Sequence, residues 1–229
     1  MISIQPTPSK NIMNKIKWVE IRSTATKEWK DYLSGKTDKK PEPSVWYIYF
    51  TQGGKHEPDY YYAKERGGCY AKDKLDDDTS FEFAKGIKPL NGKVVGRFVL
   101  KEVEAINLPY TRFGTKEPVG CEAERKLQTK TMDEPMLLEA SCLTEEEIYE
   151  YLRFSKEPYG YAWHIDDLEI FPTPKELKDF KRPGFDYPGW AEARSKCGRQ
   201  FAKEDTLAVM FYKMLPLKRP PQSWCYVSL

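Results

Sequence analysis

The segment Lys17-Trp18-Val19-Glu20-Ile21-Arg22 limits what this chain can fold into more than any other stretch. Side chains on a β-strand alternate between two faces. Trp18, Glu20 and Arg22 therefore share one side of the strand, and Val19 and Ile21 share the other. The apolar row needs a packed core against it. The opposite row sets an aromatic ring, a carboxylate and a planar guanidinium side by side, which predicts a candidate site. The plainer alternative is a solvated strand face whose ion pair is worth about 0.5 kcal/mol.

The rest of the chain supplies partners for such a strand. Ile2-Ser3-Ile4 alternates before Pro6 and Pro8 force a turn. Ile12, Met13 and Ile16 then fall on one helical face, with Ser9 as the expected N-cap. The β-branched and aromatic run Val45 to Phe50 predicts a buried central strand. Asn91-Gly92 is a turn that opens a strand from Lys93 to about Ile106. A short helix is expected near Met136 to Ala140. Thr144 and Glu147 form a capping box for another helix that runs to about Leu152. Tyr161 to Ile165 and Leu168 to Phe171 suggest paired strands or one bent strand, with Pro172 and Pro174 marking a connection. Residues 203–215 suit helix or strand, and Trp224 to Val227 a closing strand. The charged or Pro/Gly-punctuated tracts at about 23–43, 55–90 and 181–215 are expected insertions. Short strands, few helices and strand-forming segments at both ends predict one α+β domain over 1–229. Its mixed sheet should be closed or nearly closed, with the first and last segments meeting.

Composition narrows the chemistry. With 40% hydrophobic and 14% aromatic residues the chain has ample core material. Lys and Arg total 37 against 35 Asp and Glu, so any nucleic-acid site must be a local patch. Five widely spaced cysteines and only two histidines, His56 and His164, fit neither a disulfide framework nor a zinc site. Asp76-Asp77-Asp78 lacks the spacing of a calcium loop. No metal or cofactor is expected. No signal-peptide core is present and no stretch approaches the roughly 18 apolar residues of a membrane span. The expectation is a reduced, cytoplasmic protein with no membrane partner.

The stretches ISIQP, KWVEIR and VWYIYFT resemble the opening of ASCH-domain proteins, which belong to the PUA-like superfamily. NGKVVGRFV, SCLTEEEIYEYL, YGYAWHIDDLEIF and RPPQSWCYV extend the likeness, which is to small ASCH-like proteins of phages and prophages. The resemblance implies a PUA-like mixed β-barrel whose cleft binds RNA, a modified base or a nucleoside. The binding residues it implies are Lys17, Trp18, Glu20 and Arg22, with Tyr49, Thr51, Trp163 and His164 around them. The rings of Trp18, Trp46, Tyr49 and Trp163 would stack on bases, Glu20 would accept from an exocyclic amine, and Arg22 would grip phosphate. His164 is a candidate general base or base-edge donor, against the blander reading of a hydrogen-bonded histidine within a strand. One branch of the superfamily hydrolyses an acylated cytidine with a Lys, a Thr and a Glu. The Lys corresponds to Lys17, but Glu20 stands where the Thr belongs. The second reading is accordingly a nucleoside amidohydrolase with Lys17 and Glu20 moving protons. The third is a phage protein that binds a host factor through the tracts at 55–90 and 181–215.

Overall fold

The computed structural model describes residues 1–52, 59–63, 68–71, 89–107, 127–152, 159–185, 191, 212–217, 221 and 225–227. His56, Asp76 to Asp78 and Trp224 lie outside them. A bent two-stranded ribbon organises these residues. Its first arm is β6 (Lys93–Leu100) followed by β7 (Val103–Asn107). Its second arm is β8 (Tyr159–His164) followed by β9 (Asp166–Lys175). β6 pairs antiparallel with β9, and β7 pairs antiparallel with β8, so both arms change sheet at the same corner. There Asp167 adopts a left-handed backbone (φ 45°), and its carboxylate meets the Lys101 ammonium at 2.6 Å.

The ribbon seeds both main sheets. In the larger, β1 (Ile2–Ile4) runs parallel to β3 (Ser44–Phe50), which pairs with β6, giving the order β1-β3-β6-β9. In the smaller, β2 (Val19–Arg22) joins β8, giving β2-β8-β7. Two antiparallel pairs complete the strands: β4 (Tyr60–Ala63) with β5 (Gly68–Ala71), and β10 (Lys181–Phe185) with β11 (Tyr212–Pro216). The architecture of the described residues is mixed α+β with four short helices. Among the described residues the strands form four separate sheets, and none closes into a barrel. The chain ends do meet: the Met1 amine donates to the Cys225 carbonyl at 2.6 Å, and the Cys225 N–H to the Met1 carbonyl at 2.9 Å. Cys225 to Val227 carry no strand assignment, contrary to the expected closing strand.

Three apolar clusters hold the layers together. The first lies between the sheets, where Trp46, Ile48, Phe50 and Phe98 meet Trp163, Tyr161 and Val103. Trp46 packs edge-on against Trp163, with ring centroids 4.8 Å apart. The second covers the far face of the smaller sheet. Helices α3 (Glu134–Ser141) and α4 (Glu145–Leu152) bury Leu137, Ala140, Ile148 and Leu152 against Val19, Ile21 and Ala162. The third covers the far face of the larger sheet, where Tyr49, Val94 and Phe171 meet Phe180 and Leu217. The smaller sheet is thus sandwiched on both faces.

Several local expectations hold and others shift. The capping box forms as read, Thr144 N–H donating to Glu147 Oε2 at 2.8 Å and Glu147 N–H to Thr144 Oγ1 at 3.2 Å. Helix α1 spans Pro6–Met13, with Gln5 rather than Ser9 as its N-cap. Proline suits a first helical turn, whose N–H groups have no helical acceptor. Ser9 instead lies inside the helix, donating from Oγ to the Ile4 carbonyl, and Ile16 lies beyond it, 53% exposed. The tract 23–43 contains α2 (Lys27–Leu33), capped by Thr26, whose Oγ1 accepts from the Trp29 N–H. So short a helix has little stability of its own. Burial of Trp29, worth about 3 kcal/mol, holds it in place. Pro172 and Pro174 belong to β9 rather than to a connection, because β9 is an edge strand and needs no donor on its outer side. Part of the tract 55–90 is the β4–β5 hairpin, pinned where the Asn14 amide brackets Cys69: Oδ1 accepts from the Cys69 N–H at 2.6 Å and Nδ2 donates to its carbonyl at 3.1 Å.

Gly96 marks the tightest approach within the ribbon. A methyl group there would lie 2.5 Å from the Glu169 backbone oxygen on β9. Gly96→Ala is expected to cost about 1–3 kcal/mol in urea unfolding, by forcing β6 and β9 apart. An unchanged unfolding midpoint would show that the ribbon is not packed this closely.

Candidate functional site

The alternation from Lys17 to Arg22 does bring Glu20 and Arg22 to one face, but that face points inward. Glu20 is paired across the strands with Trp163 and Arg22 with Tyr161, so both look into the cluster between the sheets. Glu20 is 7% exposed and Arg22 6%, while Lys17, just before the strand, is 2% exposed. The expected solvated row is a buried network. Glu20 Oε2 lies 3.4 Å from Lys17 Nζ, and Glu20 Oε1 lies 3.3 Å from Arg22 Nε. Each cation is tied to a different element. Lys17 Nζ donates to the Ser141 carbonyl at the end of α3, and Arg22 Nη2 to the Ser3 carbonyl in β1, both at 2.6 Å. Arg22 Nε is at ion-pair distance but lacks hydrogen-bond geometry, and Trp163 Nε1 is also buried without an acceptor.

The other predicted residues scatter. Trp18 is 39% exposed and does not join the buried row. Tyr49 faces the opposite side of the larger sheet, in the third cluster. Thr51 donates from Oγ1 to Gln5 Oε1 at 3.3 Å, at the end of β3. Trp163 is fully buried, so neither of its faces is open to a base. His164 lies across from Val19, on the side of the smaller sheet away from Glu20.

His164 has a partner that the sequence did not reveal. Its Nε2 lies 2.7 Å from Oε1 of Glu104, a 4%-exposed residue on β7. Thr131 donates to the same carboxylate twice, from Oγ1 at 2.7 Å and from its N–H at 2.8 Å. Burial alone raises the Glu104 carboxyl, but hydrogen bonds from Thr131, Thr129 and His164 outweigh it and hold the group below its ordinary value. The arrangement fixes the ring of His164 and clamps the turn at 129–132 onto the sheet. Burial pushes the Cys69 thiol up to about 12 and also raises that of Cys142, which disfavours the reactive thiolate at both. Among the described residues no three His, Cys, Asp or Glu side chains gather as metal ligands, and no helix is long and apolar enough to cross a membrane.

The open concavity lies elsewhere. A half-open cleft of about 600 Å³ sits between α2, the segment 37–47 and the segment 225–227. Trp29, Trp46, Tyr47 and Tyr226 supply its aromatic walls, and Glu28, Asp31, Glu42, Lys39 and Lys40 its charges. Of the residues expected to meet a base, Trp46, named as a stacking ring, lines it, and Lys17, Trp18, Glu20, Arg22, Tyr49, Thr51, Trp163 and His164 do not. Sequence reading passed over it because α2 was taken for an insertion, although Trp29, Tyr32 and Leu33 recur at helical spacing after a Thr26 cap.

Two measurements test the buried groups. Glu20→Gln leaves two buried cations without a counter-charge and is expected to cost about 3–5 kcal/mol by denaturant unfolding, whereas replacing all three residues with Met or Leu costs less. Similar stability for the two variants would refute the network. For Glu104 the folded carboxyl is depressed, so its stabilisation is complete above the ordinary carboxyl range and is lost as pH falls through the depressed value. Glu104→Gln should flatten the acid limb of the stability–pH curve, and a parallel curve would exclude the assignment. No family model matches this chain, and neither does any curated protein or solved structure.

Proposed function

We propose that this chain is a binding module for a nucleobase, presented as a free or modified nucleoside or as an unstacked base of single-stranded RNA, and that the base enters the cleft beside α2. The observation that carries this reading is the cleft itself, about 600 Å³, with aromatic walls and a few polar groups converging on them. That volume lies within the usual range for small-molecule sites, roughly 300–1,000 Å³. Tyr226, 64% exposed at the mouth, offers a ring for stacking, and Glu28 and Glu42 offer acceptors for exocyclic amines. The likeness of the chain's motifs to ASCH-domain proteins supports the same ligand class and a PUA-like relationship for the paired sheets.

Moving the base site to this cleft changes the role of β2. Lys17, Glu20 and Arg22 hold the sheets together beneath it. A nucleoside amidohydrolase would need Lys17 and Glu20 to reach substrate, yet each is buried and engaged. A nucleobase module is therefore better supported than an enzyme.

The test is a panel of nucleosides and short single-stranded RNAs titrated against tryptophan fluorescence. Tyr226→Ala should weaken binding by roughly 5- to 100-fold, the effect of losing one stacking ring. Uncharged free nucleosides should bind with little dependence on salt, since no phosphate contact releases counterions. Failure of the whole panel to bind, or an affinity untouched by Tyr226→Ala, would sink this reading.

A further inference from the structure

The charges around the cleft are not evenly answered. Lys40 is balanced from outside by an ion pair with Glu102, which is not part of the wall. Asp31 shares its carboxylate with Lys36 at 3.7 Å. Glu28 and Glu42 are exposed and have no ion-pair partner among the described residues. Among the lining side chains three carboxylates, Glu28, Asp31 and Glu42, stand against two ammoniums, Lys39 and Lys40. Burial first, and then Glu28, push the Tyr226 hydroxyl upward.

The walls favour the same sign. An aromatic face is negative, and an indole is the strongest of the natural rings for a cation. Lys40 already illustrates the affinity within the molecule, its Nζ 5.9 Å from the centroid of Trp29. Anions are opposed twice, by the carboxylates and by the ring faces.

Resting on the nucleobase reading, we infer that the cleft selects a base whose ring carries a positive charge, such as a ring-N-alkylated purine or pyrimidine, over its neutral parent. The ring stacks on Tyr226, the exposed ring of the wall, while Glu28 and Glu42 neutralise the charge at the mouth. An uncharged base keeps the stacking and loses the electrostatic part. A phosphate group remains outside, near Lys39.

Adenosine and 1-methyladenosine make the comparison at neutral pH, where only the methylated ring is cationic. Titrated into the purified chain, 1-methyladenosine should bind about tenfold more tightly. In the double variant Glu28→Gln/Glu42→Gln, both at exposed positions, that ratio should fall at least threefold, whatever happens to the affinity for adenosine itself, while circular dichroism stays as in the parent. Equal affinity for the two nucleosides overturns this inference and leaves the nucleobase module standing. Binding of neither overturns this inference, and the nucleobase module falls with it when the wider panel of nucleosides and RNAs also fails to bind. A ratio unchanged in the double variant overturns the role of the two carboxylates. Tetramethylammonium binding as tightly as 1-methyladenosine overturns the requirement for a ring.

Discussion

Glu20 holds two cations that belong to different parts of the molecule. Through Arg22 it reaches the backbone of β1 in the larger sheet, and through Lys17 the last turn of α3 behind the smaller one. All three side chains lie within the cluster between the sheets or at its edge, where little water reaches them. A buried ion network of this kind contributes little net stability compared with apolar packing, but breaking it is expensive. Its consequence is specificity. A strand that slips by one residue would turn Glu20 and Arg22 toward α3 and α4 and bring Val19 and Ile21 inward, stranding three charges. The register of β2 against β8 is thereby fixed, and with it the position of Trp163.

Trp163 carries that constraint onward. It faces Glu20 across the strands, and its ring meets Trp46 of β3 edge to face. Trp46 is part of the cleft wall. The path from buried charge to open cleft thus runs through two tryptophans in van der Waals contact, each nearly or fully buried. The cleft floor is therefore a rigid surface, while its rim of Glu28, Lys39, Glu42 and Tyr226 is exposed.

How much of this was legible depends on what each segment had to satisfy. The capping box at Thr144, the central strand Ser44–Phe50 and the turn at Asn91-Gly92 are locally determined, and they fold as read. The alternation of Lys17 to Arg22 was also legible, but its direction was not. Pattern reading assigns charge to the outside, and that rule assumes a sheet with one wet face. Here both faces of β2 are covered, one by α3 and α4 and the other by the larger sheet. Only the Ser3 and Ser141 carbonyls, distant in sequence, make an inward charged row tolerable. Glu104 was invisible for the same reason, since its partners Thr131 and His164 are 27 and 60 residues away.

The division between buried and exposed charge bears on function as well as on fold. A carboxylate held by two cations and facing the core cannot also receive a ligand without breaking the junction of the sheets. On the proposed reading, recognition falls instead to exposed groups on α2 and the segments beside it. The charged motif of β2 and the open cleft are then different parts of one packed arrangement. The buried row fixes Trp163, Trp163 fixes Trp46, and the cleft inherits its shape from charges it never exposes.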